Sequence, residues 1–298
     1  MTAPLKILLF GKNGQVGWEL QRALAPLGQV LALGTSGQPG LAGDFRDPEA
    51  IARTVRTVAP DVIVNAAAYT AVDKAEGEPE LARSINADSV AAIAREAAAL
   101  GAWLVHYSTD YVFDGSGERP WCERDVPAPL SVYGQTKLAG EQAIQAAGCR
   151  HLIFRTSWVY ATRGGNFIKT MLRLAAERDQ LKVIDDQFGA PTGAELIADV
   201  TAHAIRTARR QADVAGLYHL AAAGETTWYG YARHVIESAL AAGRPVLVRP
   251  VPTSAYPLPA PRPHNSRLDT ALLQQTFDLA LPHWKIGVSR TLAELFDK

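Results

Sequence analysis

The sequence predicts an α/β protein: a Rossmann-type doubly wound parallel sheet with a smaller C-terminal substrate lobe. Three observations carry this. A glycine-spaced turn, Gly11-Lys12-Asn13-Gly14-Gln15-Val16-Gly17, lies between an apolar run at residues 6–10 and a helix-periodic segment at 18–24. Strand-length apolar runs then alternate with helical segments as far as Ser157, the pattern of a parallel sheet with right-handed crossovers. After Ser157 the alternation stops, and stretches such as residues 248–263 are rich in proline. Residues 1–157 are assigned to a dinucleotide-binding domain. Residues 158–298 are assigned mainly to a lobe over the sheet edge, with some segments returning to the first domain.

The elements follow in order. In a strand–turn–helix setting, Gly11 permits the tight turn, Gly14 lets backbone approach a pyrophosphate, and Gly17 lets helix pack on strand. The pyrophosphate would face free N–H groups and the positive dipole end of the helix. The second strand, residues 29–33, ends in Gly34-Thr35-Ser36-Gly37, where many dinucleotide folds carry an acid for the ribose 2′-hydroxyl. No acid is present. Thr35 and Ser36 can hydrogen-bond a 2′-phosphate, although no arginine is adjacent, which tilts the reading towards NADPH or use of both cofactors. A short strand-like segment precedes Gly43-Asp44-Phe45. Asp44 is open to two readings: an acceptor for the adenine amino group, or a turn before a helix.

Residues 61–68 form a buried-type strand running into small side chains over which a cofactor can lie. Residues 79–100 read as one helix containing Asn86. Residues 103–110 form a strand ending in hydroxyls, and ligands of such sheets bind at strand carboxyl ends, which places Thr109 near substrate. Residues 152–156 are a further strand. Later helices are expected near 166–177, 194–209, 228–241 and 270–277.

Tyr133 and Lys137 stand in Ser131-Val132-Tyr133-Gly134-Gln135-Thr136-Lys137. On a helix, residues four apart share a face. A phenol titrates near about 10, and a neighbouring ammonium favours its ionised form. Such a pair can move a proton near neutral pH, as carbonyl reduction requires. The pair alone is more often an exposed pair on a surface helix; the dinucleotide turn upstream gives it weight.

Composition narrows the class. Thirty Lys and Arg balance thirty Asp and Glu, so no polyanion-seeking surface is expected and nucleic acid is not a partner. Cys122 and Cys149 lack metal-type spacing and read as free thiols of a reducing compartment. The N-terminal segment lacks a signal-peptide layout, and the alanine-rich run at 90–100 is too short to span a bilayer. The expectation is a soluble, cytoplasmic protein without a membrane partner.

These parts together resemble the extended short-chain dehydrogenases/reductases, and within them the dTDP-4-dehydrorhamnose reductase family. The likeness is carried by residues 10–20, by Val64-Asn65-Ala66-Ala67-Ala68-Tyr69-Thr70-Ala71-Val72-Asp73, and by Ser108-Thr109-Asp110-Tyr111-Val112-Phe113. Ser157-Trp158-Val159-Tyr160, residues 186–192 and residues 262–268 extend it over nearly the whole chain. The resemblance implies NAD(P)H-dependent reduction of the C4 ketone of dTDP-4-dehydro-L-rhamnose to dTDP-L-rhamnose, used in cell-surface polysaccharide such as O antigen. It implies that Tyr133 donates the proton, Thr109 hydrogen-bonds the same oxygen, and Lys137 lowers the Tyr133 pKa and holds the nicotinamide ribose.

Asn86 matches a supporting position of the wider superfamily. Gly11, Asn13, Gly14, Gln15 and Val16 match the pyrophosphate loop. Asp44, Phe45, Ala68, Tyr69, Thr70 and Tyr107 match further cofactor contacts. Thr70, Val72, Asp110, Tyr111 and Trp158 match the sugar-nucleotide side, with lobe packing an equal reading for Trp158. Arg262 and Arg267 read either as diphosphate ligands or as surface ion pairs. The resemblance also implies a homodimer with structural Mg²⁺ held by Glu19, Glu195 and Glu294.

Two competing readings remain. A sister nucleotide-sugar epimerase or 4,6-dehydratase is one; a dehydratase needs an acid where Tyr111 follows Thr109-Asp110. A non-catalytic dinucleotide-binding regulatory subunit is the other.

Overall fold

The computed structural model describes residues 4–239 and 245–296. The chain begins with β1 (Leu5–Phe10), α1 (Gln15–Leu24), β2 (Gly28–Leu33), α2 (Pro48–Val58) and β3 (Val62–Asn65). Two short helices, α3 (Val72–Ala75) and α4 (Pro79–Arg83), lead through a π-helical turn at Ser84–Asp88 into α5 (Ser89–Leu100). Then come β4 (Trp103–Thr109), α6 (Val132–Ala147) and β5 (His151–Thr156).

The second half contains β6 (Val159–Tyr160), α7 (Phe167–Glu177), β7 (Gln180–Ile184), β8 (Phe188–Gly189), β9 (Thr192–Gly193), α8 (Ala194–Ala208) and β10 (Gly216–His219). It ends with β11 (Thr226–Thr227), α9 (Trp228–Ala239), β12 (Leu247–Val251), α10 (Ala271–Phe277) and α11 (Trp284–Phe296).

Six strands form the main sheet in the order β10-β5-β4-β3-β1-β2, every pair parallel. The chain leaves β1 towards β2 on one side and returns to β3 on the other. The β1/β3 junction is therefore the topological switch point, where a crevice opens beyond the strand carboxyl ends. Side-chain alternation explains the layering. Leu5, Ile7 and Leu9 of β1 join α1, α8 and α10 through Leu20, Ile197 and Phe277. Leu8 and Phe10 join α2 and α5 through Val55 and Ile93. Both faces are covered, so β1 is continuously apolar from Ile7 to Phe10, with Lys6 exposed near its start.

A third core belongs to the lobe: Ile168, Met171, Leu181, Tyr231, Val235, Trp284 and Val288 from α7, β7, α9 and α11. The lobe strands form two-stranded pieces, β12 with β7, β11 with β8, and β6 with β9. Among the described residues no helix is long and apolar enough to cross a membrane.

Several expectations need correction. The expected single helix at 79–100 is interrupted by the π turn, which turns Asn86 inward. The strand-like segment before Gly43 is a tight turn closed by a bridge between Gln38 and Leu41. The proline-rich stretch at 248–263 begins with β12, whose Pro250 is tolerated in a two-stranded edge. The expected helix at 228–241 is described as far as Ala239, and residues 240 and 241 lie outside the described residues. α11 was not anticipated.

Candidate active site

Two cavities meet over the carboxyl end of β3. The inner one, about 340 Å³, is lined by Val16, Thr109, Tyr133, Lys137 and Trp158 among others. The outer one, about 280 Å³, is lined by Gly11, Asn13, Gly14, Gly34, Thr35 and Asp44 among others. Ala66 and Ala68 line both, so the two run together at the switch point.

The glycine turn forms the floor between them. Gly11 has φ +84°, and a Cβ there would sit 2.6 Å from the Ala66 carbonyl and the Ala67 nitrogen. Only glycine allows this turn to lie so close to β3. α2, α6 and α7 are capped by Asp47, Ser131 and Asn166 side chains. α1 starts at Gly14 with no side-chain cap, so its first N–H groups face the crevice free for an anion. Uncapped N–H groups, a turn pressed onto small residues and a continuous crevice fit a dinucleotide. Gln15 lines the inner cavity, its Oε1 accepting from Asn166 Nδ2 at 3.0 Å.

The catalytic candidates come from two elements. Thr109 closes β4; Tyr133 and Lys137 lie on α6. The Thr109 and Tyr133 side chains line the same inner cavity. Thr109 donates to Asp110 Oδ1 at 3.0 Å, and the Tyr111 ring meets Tyr133 edge-on at 5.5 Å. Burial pushes the Tyr133 phenol up to about 12, with the neighbouring Thr109 hydroxyl opposing it. Burial likewise lifts Asp110 to about 6, against hydrogen bonds from Ser266 and Thr109.

Lys137 is buried, and burial brings it down to about 8, with Glu141 opposing. Its Nζ donates to the Tyr107 carbonyl at 2.6 Å and stands 3.3 Å from His106 Nε2. The expected lowering of Tyr133 by Lys137 is not what sets this phenol: burial raises it, and the lysine is turned to β4. His106 is itself oriented. The Ala67 N–H donates to Asn65 Oδ1, which directs the Asn65 amide nitrogen onto His106 Nδ1 at 3.1 Å. Nδ1 must accept, so the neutral ring carries its proton on Nε2, facing Lys137.

α6 is seated by close packing. A Cβ on Gly140 would lie 2.3 Å from the Asn86 carbonyl, so the helix rests on the backbone of the π turn. The Asn86 side chain accepts from Tyr69 N at 2.9 Å and donates to Tyr69 O and Thr136 Oγ1, both at 3.1 Å.

Other candidates are placed as follows. Thr70, Val72, Asp110 and Tyr111 line the inner cavity. Tyr69 lines neither, because its hydroxyl is bonded to Glu78. Tyr107 lines the inner cavity, with its hydroxyl turned to Thr201 at 2.8 Å. Phe45 is buried edge-on against Phe10. Asp44 is held by Arg46, which keeps its carboxyl below the usual range. Trp158 stacks on Trp228 with ring centroids 3.8 Å apart, and both line the inner cavity. Trp228 was missed by sequence reasoning; an aromatic beginning a helix carries no signal until the fold brings it to Trp158. Arg262 and Arg267 are ion-paired to Asp73 and Glu225.

The family described as RmlD substrate binding domain matches residues 5–296. The dTDP-4-dehydrorhamnose reductase of Escherichia coli (strain K12) is 64% identical over 295 residues, 98% of each chain. The chain belongs to the dTDP-4-dehydrorhamnose reductase family. A solved family structure from Bacillus anthracis str. Ames, in complex with NADP, matches with a TM-score of 0.87. It is 33% identical over 98% of this chain and 99% of its own. Another from Clostridium acetobutylicum ATCC 824 gives 0.88 at 33% identity with the same coverage.

The Mg²⁺ expectation does not fit this member of the reductase family. Glu19, Glu195 and Glu294 do border one cleft of about 190 Å³. Among the described residues, however, no three acidic, His or Cys side chains converge closely enough to hold a metal ion. Arg290 stands there, 3.5 Å from Glu195 and 3.4 Å from Glu294, so the positive charge facing these carboxylates is a guanidinium.

Proposed function

We propose that the chain reduces the C4 ketone of dTDP-4-dehydro-L-rhamnose to dTDP-L-rhamnose with NAD(P)H. The product would supply cell-surface polysaccharide such as the O antigen of lipopolysaccharide. The observation that carries the mechanism is that Thr109, Tyr133 and Lys137 line one cavity, which joins the nucleotide-side cavity at Ala66 and Ala68. The Gly11–Gly14 turn, Ala66–Ala68 and Lys137 would hold the cofactor, which would supply the hydride when bound.

The residues do the rest. Both hydroxyls, those of Thr109 and Tyr133, line the inner cavity, so both can donate to the C4 oxygen once the ketone draws the Thr109 proton from Asp110. As C4 receives its hydrogen, negative charge gathers on that oxygen, and the Tyr133 O–H gives it a proton. A phenol held at about 12 is fully protonated at neutral pH, the state a proton donor in the reducing direction needs. Trp158 and Trp228 wall the cavity and exclude water. The homodimer expected of the family is part of this reading.

The test is oxidation of NADPH and NADH on addition of the ketosugar, comparing the protein with Tyr133→Phe. Net cofactor turnover is expected, falling ~10²–10⁴-fold in the variant. Nucleotide binding without net turnover would instead favour the epimerase or regulatory-subunit reading.

A further inference from the structure

We propose that Lys12 and Arg46 form a subsite for the 2′-phosphate of NADPH and select that cofactor over NADH. This rests on the nicotinamide-cofactor reading above. The place at the end of β2 where an acid would hold a 2′-hydroxyl is Gly34, and the space beyond its Cα is already filled. A Cβ there would lie 2.6 Å from Asn13 Nδ2 and 3.7 Å from Lys12 Cε. The turn that cradles the pyrophosphate thus sends an amide and a lysine stem to where a carboxylate would stand.

Arg46 lines the outer cavity together with Gly34 and Thr35. Its Nε and Nη2 both bond the Asp44 carboxylate. That contact fixes the plane of the guanidinium and leaves Nη1 without a hydrogen-bond partner among the described residues. Asp44 and Arg46 cancel in charge. The Lys12 ammonium forms no ion pair or hydrogen bond among the described residues, so this corner carries a net positive charge. A phosphate monoester near neutral pH carries about −1.5 to −2 and offers three acceptor oxygens. A held guanidinium edge, a lysine and the Thr35 hydroxyl match that group. The bare 2′-hydroxyl of NADH finds no free carboxylate here, since Asp44 is engaged. Discrimination therefore comes from attraction of one cofactor and from a missing acceptor for the other.

The experiment is calorimetric titration of NADPH and NADH into the protein and into Arg46→Gln, Lys12→Gln, the double variant and Gly34→Asp. Wild type is expected to bind NADPH more tightly. Each cation variant should lower the NADPH-to-NADH affinity ratio ~10-fold, the loss of one charge-assisted contact. The double variant should approach equality, and Gly34→Asp should lower the ratio by setting a carboxylate against the phosphate. NADPH binding should weaken with salt more steeply than NADH binding in the wild type only. A ratio unchanged in the double variant overturns the proposal. So does equal weakening of both nucleotides by Arg46→Gln, which would show Arg46 acting only through Asp44. Binding of neither nucleotide to the wild type is a separate result that overturns the cofactor reading itself.

Discussion

Lys137 and Trp158 show how single residues are held at this site in states they would not adopt alone. Lys137 has lost its surroundings of water and faces the Nε2–H of His106, so its charge is retained only below about 8. A lysine with a lowered pKa is cationic below that value and neutral above it. The kcat/KM for reduction is therefore expected to fall as pH rises through about 8, since that parameter reports the free enzyme. A profile flat to about 10 would contradict the role given to Lys137. Trp158 has φ +49°, a conformation costing roughly 1–3 kcal/mol. Its stack on Trp228 returns about 0.5–1.5 kcal/mol. The remainder of the restraint comes from Thr192 N–H, which bonds the Trp158 carbonyl at 3.2 Å, and from Gly189 beneath the ring. At this scale Thr109, Tyr133 and Lys137 could be read from spacing, because strand ends and helical faces are local. Arg46 could not. A search for a cation beside Gly34 stops at Gly37, while the fold returns Arg46 after the turn at Gln38–Leu41.

α6 is the element on which the site depends, and its anchor is electrostatic. Glu141 and Arg155 form a two-pronged ion pair at 2.9 and 2.6 Å, their side chains only 2% and 4% exposed. Arg155 also lies over the Phe113 ring at 5.0 Å. Removing one partner of such a pair strands the other charge in the interior. Glu141→Ala is expected to destabilise the fold by about 3–5 kcal/mol, read from the urea midpoint, with Glu141→Gln costing less. A loss below about 1 kcal/mol would place the pair in water instead. β1, β3, β4 and β5 were legible because burial on both faces makes a parallel strand continuously apolar. β12 and α11 were not. β12 is an exposed edge broken by Pro250, and α11 leaves Ile286 and Phe296 in solvent, so neither shows a continuous apolar signature.

The whole molecule is a sheet core and a lobe core joined where β10 enters the main sheet. His219 of β10 sits at that seam, fully buried, its Nδ1 bonded to the Trp121 carbonyl and its main-chain N–H to Glu123. Burial, then Arg155, takes its pKa down to about 3. His106 is likewise held well below its ordinary value by burial. Below about 6.5 the unfolded chain takes up protons that the folded chain refuses, so stability falls with pH from there towards about 3. Each histidine can contribute up to about 1.4 kcal/mol per pH unit in that window. Urea midpoints should drop between pH about 7 and about 5, and His219→Gln should reduce the drop. An unchanged slope in the variant would remove His219 from the account. The switch-point crevice was legible from the glycine turn and the strand–helix alternation. The seam was not, because β10 is four residues long and half polar.

The π turn at Ser84–Asp88 has a consequence for how the helical layer is indexed. A π turn holds one residue more than an α-helical turn and absorbs it by widening, so α4 and α5 keep nearly the same rotational phase while the apolar register of the sequence slips by one residue. Deleting one residue there would restore a regular helix with α4 and α5 facing as before, but would tighten the turn that carries Asn86. The Asn86 contacts with Tyr69 and Thr136, and the carbonyl on which Gly140 rests, belong to that widened turn. One surplus residue therefore makes the bulge on which the seating of the Tyr133 helix depends.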